Sequence, residues 1–313
     1  MTIVESGSLV AGVELGGTKC VCVLAAGPDD VRDEVRLPTT TPDETLEAIG
    51  GVLNRWKAGP GFNALGIGSF GPLELDQGSA RFGSIVSTPK PGWSGSDLTI
   101  LGRDLDVPVA MDTDVNGAAL AEGRWGAARG LRSFSYITVG TGIGVGSIVN
   151  GRSVQGLGHS EAGHLRVGRK AGDVWPGACP YHGDCAEGLA AGPALLGRTG
   201  RNGETLSADD PAWETVVHAL GGLLHNLVLT TAPERILIGG GVITGNNHLF
   251  PRLRLALIES LNGYGPAEKI AEKIDDFLSR PGLGAMAGPM GAIILGINAR
   301  SQDPVDGKDG SRR

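Results

Sequence analysis

Two strand–turn–strand patterns, one in each half of the chain, place the strongest constraint on the fold. In the first, apolar residues from Leu9 to Glu14 are followed by Gly16-Gly17-Thr18, and a second apolar run extends from Lys19 to Ala25. In the second, the run from Phe134 to Val139 leads into Gly140-Thr141-Gly142-Ile143-Gly144 and another apolar strand. The repetition predicts an internal duplication in an α/β chain, with the two turns facing each other across a cleft.

Glycine turns of this kind expose backbone N–H groups that can hold phosphate oxygens, although each turn alone is equally typical of a tight hairpin. The chain contains 53 glycines among 313 residues, well above the average share of about 7%. A third group, Gly239-Gly240-Gly241, follows a predicted strand and would let an adenine ring lie against the backbone. The candidate phosphate and nucleotide ligands are Gly16, Gly17, Thr18, Lys19, Gly140, Thr141, Gly142, Gly239, Gly240 and Gly241.

A compact group of cysteines and histidines predicts a structural zinc site. Cys179, His182 and Cys185 form a C-x2-H-x2-C pattern in a turn-rich segment, and His164 lies upstream as a fourth soft ligand. Thiolates and imidazoles at this spacing suit tetrahedral zinc, and four protein ligands leave no open position for chemistry. The alternative is two ordinary buried thiols and two unrelated histidines, which the loop composition disfavours.

Two carboxylates flank this group. Glu161 and Glu187 each lie within three residues of a proposed ligand, so a closed zinc site would fix both beside a pocket. The ring nitrogen of His164 that does not face the metal would be available for a hydrogen bond there.

A further carboxylate is predicted at a strand end. An apolar strand from Val107 to Met111 is followed by Asp112, Thr113 and Asp114, and then by a helix from Val115 to about Glu122. Ligands of α/β proteins bind at the carboxyl ends of strands. Asp114 is also well suited to cap the helix, and capping does not exclude catalysis.

Four other segments are assigned by pattern. Thr41, Pro42 and Glu44 predict a capped helix start, and apolar residues from Pro211 to Thr230 and from Pro289 to about Ala299 predict two further helices. The long segment from Leu73 to Asp97 is predicted to be irregular. Within it, Thr88 to Trp93 fits either a functional loop or a surface loop with one anchoring tryptophan.

Composition and charge disfavour several classes of protein. A net charge of −7 disfavours a nucleic-acid partner. The sequence has no run of eighteen apolar residues, and the polar stretch from Met1 to Leu9 does not resemble a secretory leader. We therefore expect a cytoplasmic protein without a membrane partner, in which Cys20 and Cys22 are reduced core thiols.

Glycine turns, a strand-end carboxylate and a metal-shaped pocket together predict phosphoryl transfer from ATP to a polyhydroxylated acceptor. This reaction depends on positioning and charge neutralisation, which backbone N–H groups and Mg²⁺ supply, while one carboxylate takes the hydroxyl proton.

The motifs resemble those of the ROK family of sugar kinases and repressors, and within it the bacterial fructokinases. The resemblance covers nearly the whole chain. It rests on Glu14-Leu15-Gly16-Gly17-Thr18-Lys19, Thr113-Asp114-Val115-Asn116, Gly140-Thr141-Gly142-Ile143-Gly144, Glu161-Ala162-Gly163-His164 and the cysteine–histidine group through Glu187.

The resemblance implies an actin-like ATPase fold, which is a duplicated ribonuclease-H-like α/β unit with its active site in the cleft. Residues 1–115 with about 288–300 would form the small lobe, residues 116–287 the large lobe, and residues 301–313 a frayed tail. Homodimers are also implied. The implied roles are Asp114 as the base, Thr113, Glu161, His164 and Glu187 as sugar ligands, and His164, Cys179, His182 and Cys185 as zinc ligands.

The substrate is expected to be fructose, with fructose 6-phosphate as the product. Thr113 and Glu14 depart from the glucose-type pattern, and Phe70-Gly71-Pro72 and Pro89-Lys90-Pro91-Gly92-Trp93 are similar to the fructokinase branch. Ala285-Met286 replaces a more polar pair, which leaves the adenine contacts open. The alternatives are a kinase for mannose, glucose or an N-acetylhexosamine, and a sugar-responsive repressor, which would need a helix-turn-helix where only nine residues precede Val10. The acidic charge argues against a zinc-knuckle nucleic-acid module.

Overall fold

The structure, a computed structural model, describes residues 8–302. The strands are β1 Val10–Leu15, β2 Lys19–Gly27, β3 Asp30–Pro38, β4 Leu65–Ser69, β5 Val109–Thr113, β6 Phe134–Val139, β7 Ile143–Val149, β8 Arg152–Ser153, β9 Arg235–Gly239 and β10 Leu278–Ser279. The helices are α1 Pro42–Ala58, α2 Asp114–Trp125, α3 Ala186–Ala190, α4 Gly192–Thr199, α5 Ala212–Thr231, α6 Gly241–Thr244, α7 Leu249–Leu261, α8 Ala267–Glu272, α9 Ile274–Phe277 and α10 Ala287–Gln302. Short 3-10 helices span Leu98–Leu101, Ala162–His164, Gly203–Thr205 and Gly284–Met286.

The chain folds into two compact units. The first contains the chain up to Asp114 and again from Gly288 onward, and the second contains Val115–Ala287. One boundary therefore falls between the first two residues of α2, and the other between the first two residues of α10.

Each unit is built on a five-stranded mixed sheet, and the two sheets have the same topology. In the first, the order is β3-β2-β1-β4-β5, and in the second it is β8-β7-β6-β9-β10. In the first sheet, β1, β2 and β3 pair antiparallel, and β4 and β5 run parallel to β1. In the second sheet, β6, β7 and β8 pair antiparallel, and β9 and β10 run parallel to β6. This repetition confirms the duplication predicted from the two strand–turn–strand patterns.

In the first unit, one face of the sheet packs on α1. Helix α1 begins at the predicted cap, where the Thr41 hydroxyl accepts a hydrogen bond from the backbone N–H of Glu44 at 3.4 Å. Its buried side chains Leu46, Ile49 and Leu53 join the apolar core of β1, β2 and β4. Strand β3 was not predicted, because its sequence, DVRDEVRLP, is largely charged and its side chains are mostly exposed at the edge of the sheet.

Helix α10 completes the first unit by packing closely on its sheet. A Cβ atom at Gly66 of β4 would lie 1.8 Å from the carbonyl oxygen of Ala292, and one at Gly296 would lie 2.4 Å from Val10 Cγ1. Met290 and Ile293 of this helix are fully buried. The helix extends three residues beyond the predicted end at Ala299, so the first two residues of the predicted frayed tail are helical, and residues 303–313 lie outside the described residues.

The second unit has a larger apolar core around α5. This helix closely matches the predicted helix, and it buries Trp213, Leu220 and Leu224 together with residues from α3, α7 and β9. Among residues 8–302, no helix is both long enough and apolar enough to span a membrane. Residues 1–7, which carry most of the expectation about the N-terminus, are outside the described part of the chain.

Candidate functional site

The first glycine turn connects β1 and β2 in the first unit. Leu15 pairs with Cys20 at the end of the hairpin, and the N–H of Gly16 donates to the carbonyl of Lys19 at 3.0 Å. A Cβ atom at Gly16 would lie 2.9 Å from that carbonyl oxygen, so the turn requires glycine at this position. Gly17, Thr18 and Lys19 are exposed, which leaves the predicted phosphate ligands of this turn at the surface of the unit.

The segment from Thr88 to Trp93 supports this turn. The Lys90 ammonium donates to the carbonyls of Gly17 at 2.7 Å and of Thr39 at 3.2 Å. Trp93 is fully buried, and its indole N–H donates to the carbonyl of Thr40 at 2.9 Å. The sequence left two interpretations of this segment open. The structure shows that Trp93 anchors it and that Lys90 holds the backbone of the turn.

Asp114 lies at the same edge of the sheet as the first glycine turn. Strands β1, β4 and β5 are parallel, and Leu15, Ser69 and Thr113 are paired at their carboxyl ends. Asp114 follows Thr113 directly and is the first residue of α2. Strand β5 begins and ends two residues later than the predicted strand from Val107 to Met111. Asp112 and Thr113 are therefore its last two residues, and both are buried.

Glu14 is a second carboxyl group close to Asp114. Burial and then the negative charge of Asp114 raise the pKa of Glu14 to about 7, against the opposing charges of Lys19 and Arg36. The beginning of α10 covers it, since a Cβ atom at Gly288 would lie 2.0 Å from Glu14 Oε1. This carboxyl group is therefore close to half protonated at neutral pH, which the sequence pattern does not indicate.

The second glycine turn connects β6 and β7 in the second unit. Its Gly140 N–H donates to the carbonyl of Gly142 at 2.9 Å, and the Gly140 carbonyl accepts from Gly192 at 2.8 Å. The carboxylate of Glu187, in α3, accepts a hydrogen bond from the N–H of Ile143 at 3.0 Å. Glu187, predicted to bind sugar, is thus also a direct support of the second glycine turn.

The third glycine group lies beside the second turn. Gly239 ends β9, which is parallel to β6, and Gly240 has a φ of 87°. A Cβ atom at Gly240 would lie 2.4 Å from the backbone nitrogen of Val139, and one at Gly239 would lie 3.1 Å from Pro281 Cγ. Helix α6 begins directly at Gly241. The predicted phosphate segment, Gly140–Gly142, and the predicted nucleotide segment, Gly239–Gly241, are therefore neighbours in the second unit.

The four predicted metal ligands converge in the second unit. One donor atom from each of His164, Cys179, His182 and Cys185 lies within 4.8 Å of the others. Cys179 Sγ is 3.6 Å from Nδ1 of both histidines, and Cys185 Sγ is 3.5 Å from His164 Nδ1. Tetrahedral zinc, with bonds of about 2.3 Å to sulfur and about 2.0 Å to nitrogen, places such ligands about 3.6 Å apart. The donor set and its spacing fit zinc.

The candidate metal-binding loop, residues 179–185, is held by its own backbone and by ion pairs. Cys179 and Gly183 exchange two backbone hydrogen bonds, and Cys185 Sγ accepts from the N–H of Gly188 at the start of α3. The Asp184 carboxylate accepts from Arg169 Nε at 2.8 Å. Burial raises the pKa of the Cys185 thiol to about 11, so a metal would have to displace its proton.

Glu161 lies between two histidines. Its carboxylate is 4.0 Å from His164 Nε2, the nitrogen that faces away from the cysteines, and 3.4 Å from Nδ1 of His159. A Cβ atom at Gly163 would lie 1.7 Å from the carbonyl oxygen of Ile143, which explains why glycine precedes His164. His159, which has a buried side chain, was not predicted from the sequence, although it stands only two residues before Glu161.

The candidate residues thus form two groups. The first unit contains Gly16, Gly17, Thr18, Lys19, Thr113 and Asp114. The second unit contains Gly140, Thr141, Gly142, Gly239, Gly240, Gly241, Glu161, His164, Glu187 and the metal ligands Cys179, His182 and Cys185.

Comparison with known proteins connects both groups to one family. The model of the ROK family matches residues 10–298. This chain belongs to the ROK family. Among curated proteins, it is 40% identical to the fructokinase of Zymomonas mobilis subsp. mobilis over 298 residues, which cover 93% of this chain and 97% of that protein. It is 38% identical to the fructokinase of Pediococcus pentosaceus over 288 residues, which cover 92% and 97% respectively.

Solved ROK structures share the fold. The ROK hexokinase from Thermus thermophilus has a TM-score of 0.72 and 29% sequence identity, and the match covers 94% of this chain and 99% of that one. The two duplicated sheets with their helices are accordingly the actin-like ATPase fold expected from the family resemblance.

Proposed function

We propose that this ROK protein is a fructokinase, which transfers the γ-phosphoryl group of ATP to the 6-hydroxyl of fructose. The chain is an ATP-dependent hexose kinase, and the choice of fructose rests on its similarity to fructokinases over more than nine tenths of its length. Asp114 at the edge of the sheet that carries the first glycine turn supplies the carboxylate that this reaction needs.

In the proposed mechanism Asp114 is the general base. As the 6-oxygen of the sugar attacks the γ-phosphorus, the Asp114 carboxylate takes the hydroxyl proton, the new O–P bond forms, and the bond between the γ-phosphorus and the bridging oxygen breaks to release ADP. Mg²⁺, when bound with ATP, would neutralise phosphate charge.

The glycine turns are proposed to bind ATP. Their backbone N–H groups would hold phosphate oxygens at Gly16–Lys19 and at Gly140–Gly142, and Gly239–Gly241 would lie beside the adenine. The support is structural: Lys90 and Glu187 each fix the backbone of one turn through a hydrogen bond.

The metal-binding loop is proposed to shape the sugar pocket. His164, Cys179, His182 and Cys185 would hold a structural Zn²⁺, while Thr113, Glu161, His164 and Glu187 would bind sugar hydroxyls. His164 can serve both purposes, because its Nδ1 faces the cysteines and its Nε2 faces Glu161.

We also propose a cytoplasmic homodimer, for which sedimentation equilibrium is the direct measurement.

A hexose panel tests the proposed substrate. The purified protein is assayed with Mg²⁺ and ATP against fructose, mannose, glucose, N-acetylglucosamine and N-acetylmannosamine, and the product from fructose is converted by phosphoglucose isomerase to distinguish the 6-phosphate from the 1-phosphate. We expect the highest kcat/KM for fructose. A several-fold higher kcat/KM for any other sugar would assign the protein to that sugar instead.

A further inference from the structure

A buried carboxylate that the proposed mechanism does not use lies in α2. Glu122 is roughly two helical turns after Asp114 and has no exposed surface. Its Oε2 accepts hydrogen bonds from the N–H groups of Ala127 at 2.7 Å and Gly282 at 2.9 Å. Its Oε1 accepts from the N–H of Leu283 at 2.8 Å. Because a buried polar group is costly unless it is hydrogen-bonded, three main-chain donors on one side chain indicate a specific structural task.

The surrounding backbone is shaped to receive this carboxylate. A Cβ atom at Gly126 would lie 2.0 Å from Glu122 Oε2, and one at Gly282 would lie 2.7 Å from the backbone nitrogen of Ala127. The Arg235 guanidinium donates to the carbonyl of Ala127. Glu122 therefore joins the end of α2 to a segment about 160 residues later in the chain.

The segment held by Glu122 is next to the third glycine group. Pro281 packs against Gly239, and Leu283 packs on the apolar cluster that includes Ala118 and Phe134. The 3-10 helix Gly284–Met286 follows directly. The carboxylate thus holds Gly282 and Leu283, and the preceding residue, Pro281, contacts Gly239 at the end of β9.

We infer that Glu122 is a positioning residue for nucleotide binding, acting through residues 281–284. This inference rests on the proposed function in one respect, namely that ATP or ADP binds at the glycine groups of the second unit. Only a carboxylate suits the position, because both of its oxygens accept hydrogen bonds from main-chain N–H groups. Glutamine would either turn its NH₂ group toward those two donors or lose the bond to Leu283.

The test separates nucleotide binding from sugar binding. In Glu122→Gln, the Kd for ADP, measured by isothermal titration calorimetry, and the KM for ATP are each expected to rise about 10-fold, while the KM for fructose changes less than about 2-fold. The matched control is Glu234→Gln. The Glu234 carboxylate also accepts two main-chain N–H bonds, from Arg132 at 2.8 Å and Ser133 at 2.9 Å, and its variant is expected to bind ADP as the wild type does.

Gly282→Ala provides a second route to the same result. It leaves the Glu122 carboxylate in place but forces Gly282 away from Ala127, and it is expected to weaken ADP binding in the same way, even if Glu122→Gln does not fold. Unchanged ADP affinity in the folded variants, or an equal rise in the KM for ATP and for fructose, would overturn the inference. ADP binding is measured without a sugar, so a failure of the fructokinase proposal would be recognised separately.

Discussion

A single substitution separates the proposed role of Asp114 as general base from its position at the start of α2. Asp114 begins α2, where asparagine caps a helix as well as aspartate does, but asparagine cannot accept the hydroxyl proton. Asp114→Asn should therefore lower kcat by about 10²-fold to 10⁴-fold, with little change in the KM for fructose. Steady-state kinetics over a range of fructose concentrations measures both.

The matched control is Asp97→Asn. The Asp97 carboxylate accepts from the N–H of Thr99 at 2.8 Å and caps the 3-10 helix Leu98–Leu101 in the same unit, so it undergoes the same chemical change without a proposed part in the reaction. Its kcat should match that of the wild type. A near-normal kcat in Asp114→Asn would mean that Asp114 only caps the helix.

Glu14 makes the stability of the protein depend on pH. Its pKa is about 7 in the folded chain and 4.5 for an ordinary glutamate, so between these values the folded state binds more protons than the unfolded state. The contribution of Glu14 to the free energy of unfolding then falls as pH rises from about 4.5 to about 7, by about 3 kcal/mol in total. Glu14→Gln removes this loss, because glutamine has no charge to bury.

Urea unfolding at pH 5 and at pH 8, without nucleotide, measures the effect. The free energy of unfolding of Glu14→Gln should exceed that of the wild type by a margin that grows toward pH 8. Glu47→Gln, on the exposed face of α1, is the control and should show no growing margin. An equal difference between Glu14→Gln and the wild type at both pH values would contradict the raised pKa.

At the scale of elements, the metal-binding loop can be tested without disturbing the helix that follows it. Cys185 Sγ caps α3 by accepting from the N–H of Gly188, and serine is itself a favourable cap. Cys185→Ser should therefore keep α3 but lose the thiolate. We expect loss of bound zinc by elemental analysis, together with a rise of at least about 10-fold in the KM for fructose.

Cys22→Ser is the matched control, because Cys22 is an equally buried thiol in β2 of the other unit. It should retain one zinc ion per chain. Normal fructose kinetics in Cys185→Ser that is verified to be free of zinc would show that the metal does not support the sugar pocket.

The sequence predicted best those elements whose formation depends on residues next to one another in the chain. Thr41 caps α1, and apolar runs on either side of glycines form β1 with β2 and β6 with β7. The sequence did not indicate β3, since a charged edge strand has no apolar pattern of its own. It also did not indicate that Lys90 contacts Gly17, or that Glu122 contacts Gly282 and Leu283, because these pairs are distant in sequence and depend on the assembled fold.

At the scale of the whole molecule, the first unit depends on a segment that returns from the far end of the chain. α10 follows the entire second unit, yet it packs on β4 so closely that a Cβ atom at Gly66 would be 1.8 Å from the Ala292 oxygen and 2.5 Å from the Gly296 nitrogen. Both atoms belong to the backbone, so no side-chain rotation relieves the overlap. Gly66→Ala must therefore displace α10, which should lower the free energy of unfolding by about 1–3 kcal/mol.

Hydrogen exchange measured by mass spectrometry shows which unit is destabilised, because each unit has its own apolar core. In Gly66→Ala, we expect faster exchange in β1, β4 and α10, while α5 and β9 of the second unit keep wild-type rates. The control is Gly51→Ala in α1, where an added Cβ atom meets nothing within 4 Å and alanine favours the helix, so protection of the first unit should be retained or increased. Faster exchange in α5 and β9 to the same extent as in β1 would show that the two units unfold together rather than separately.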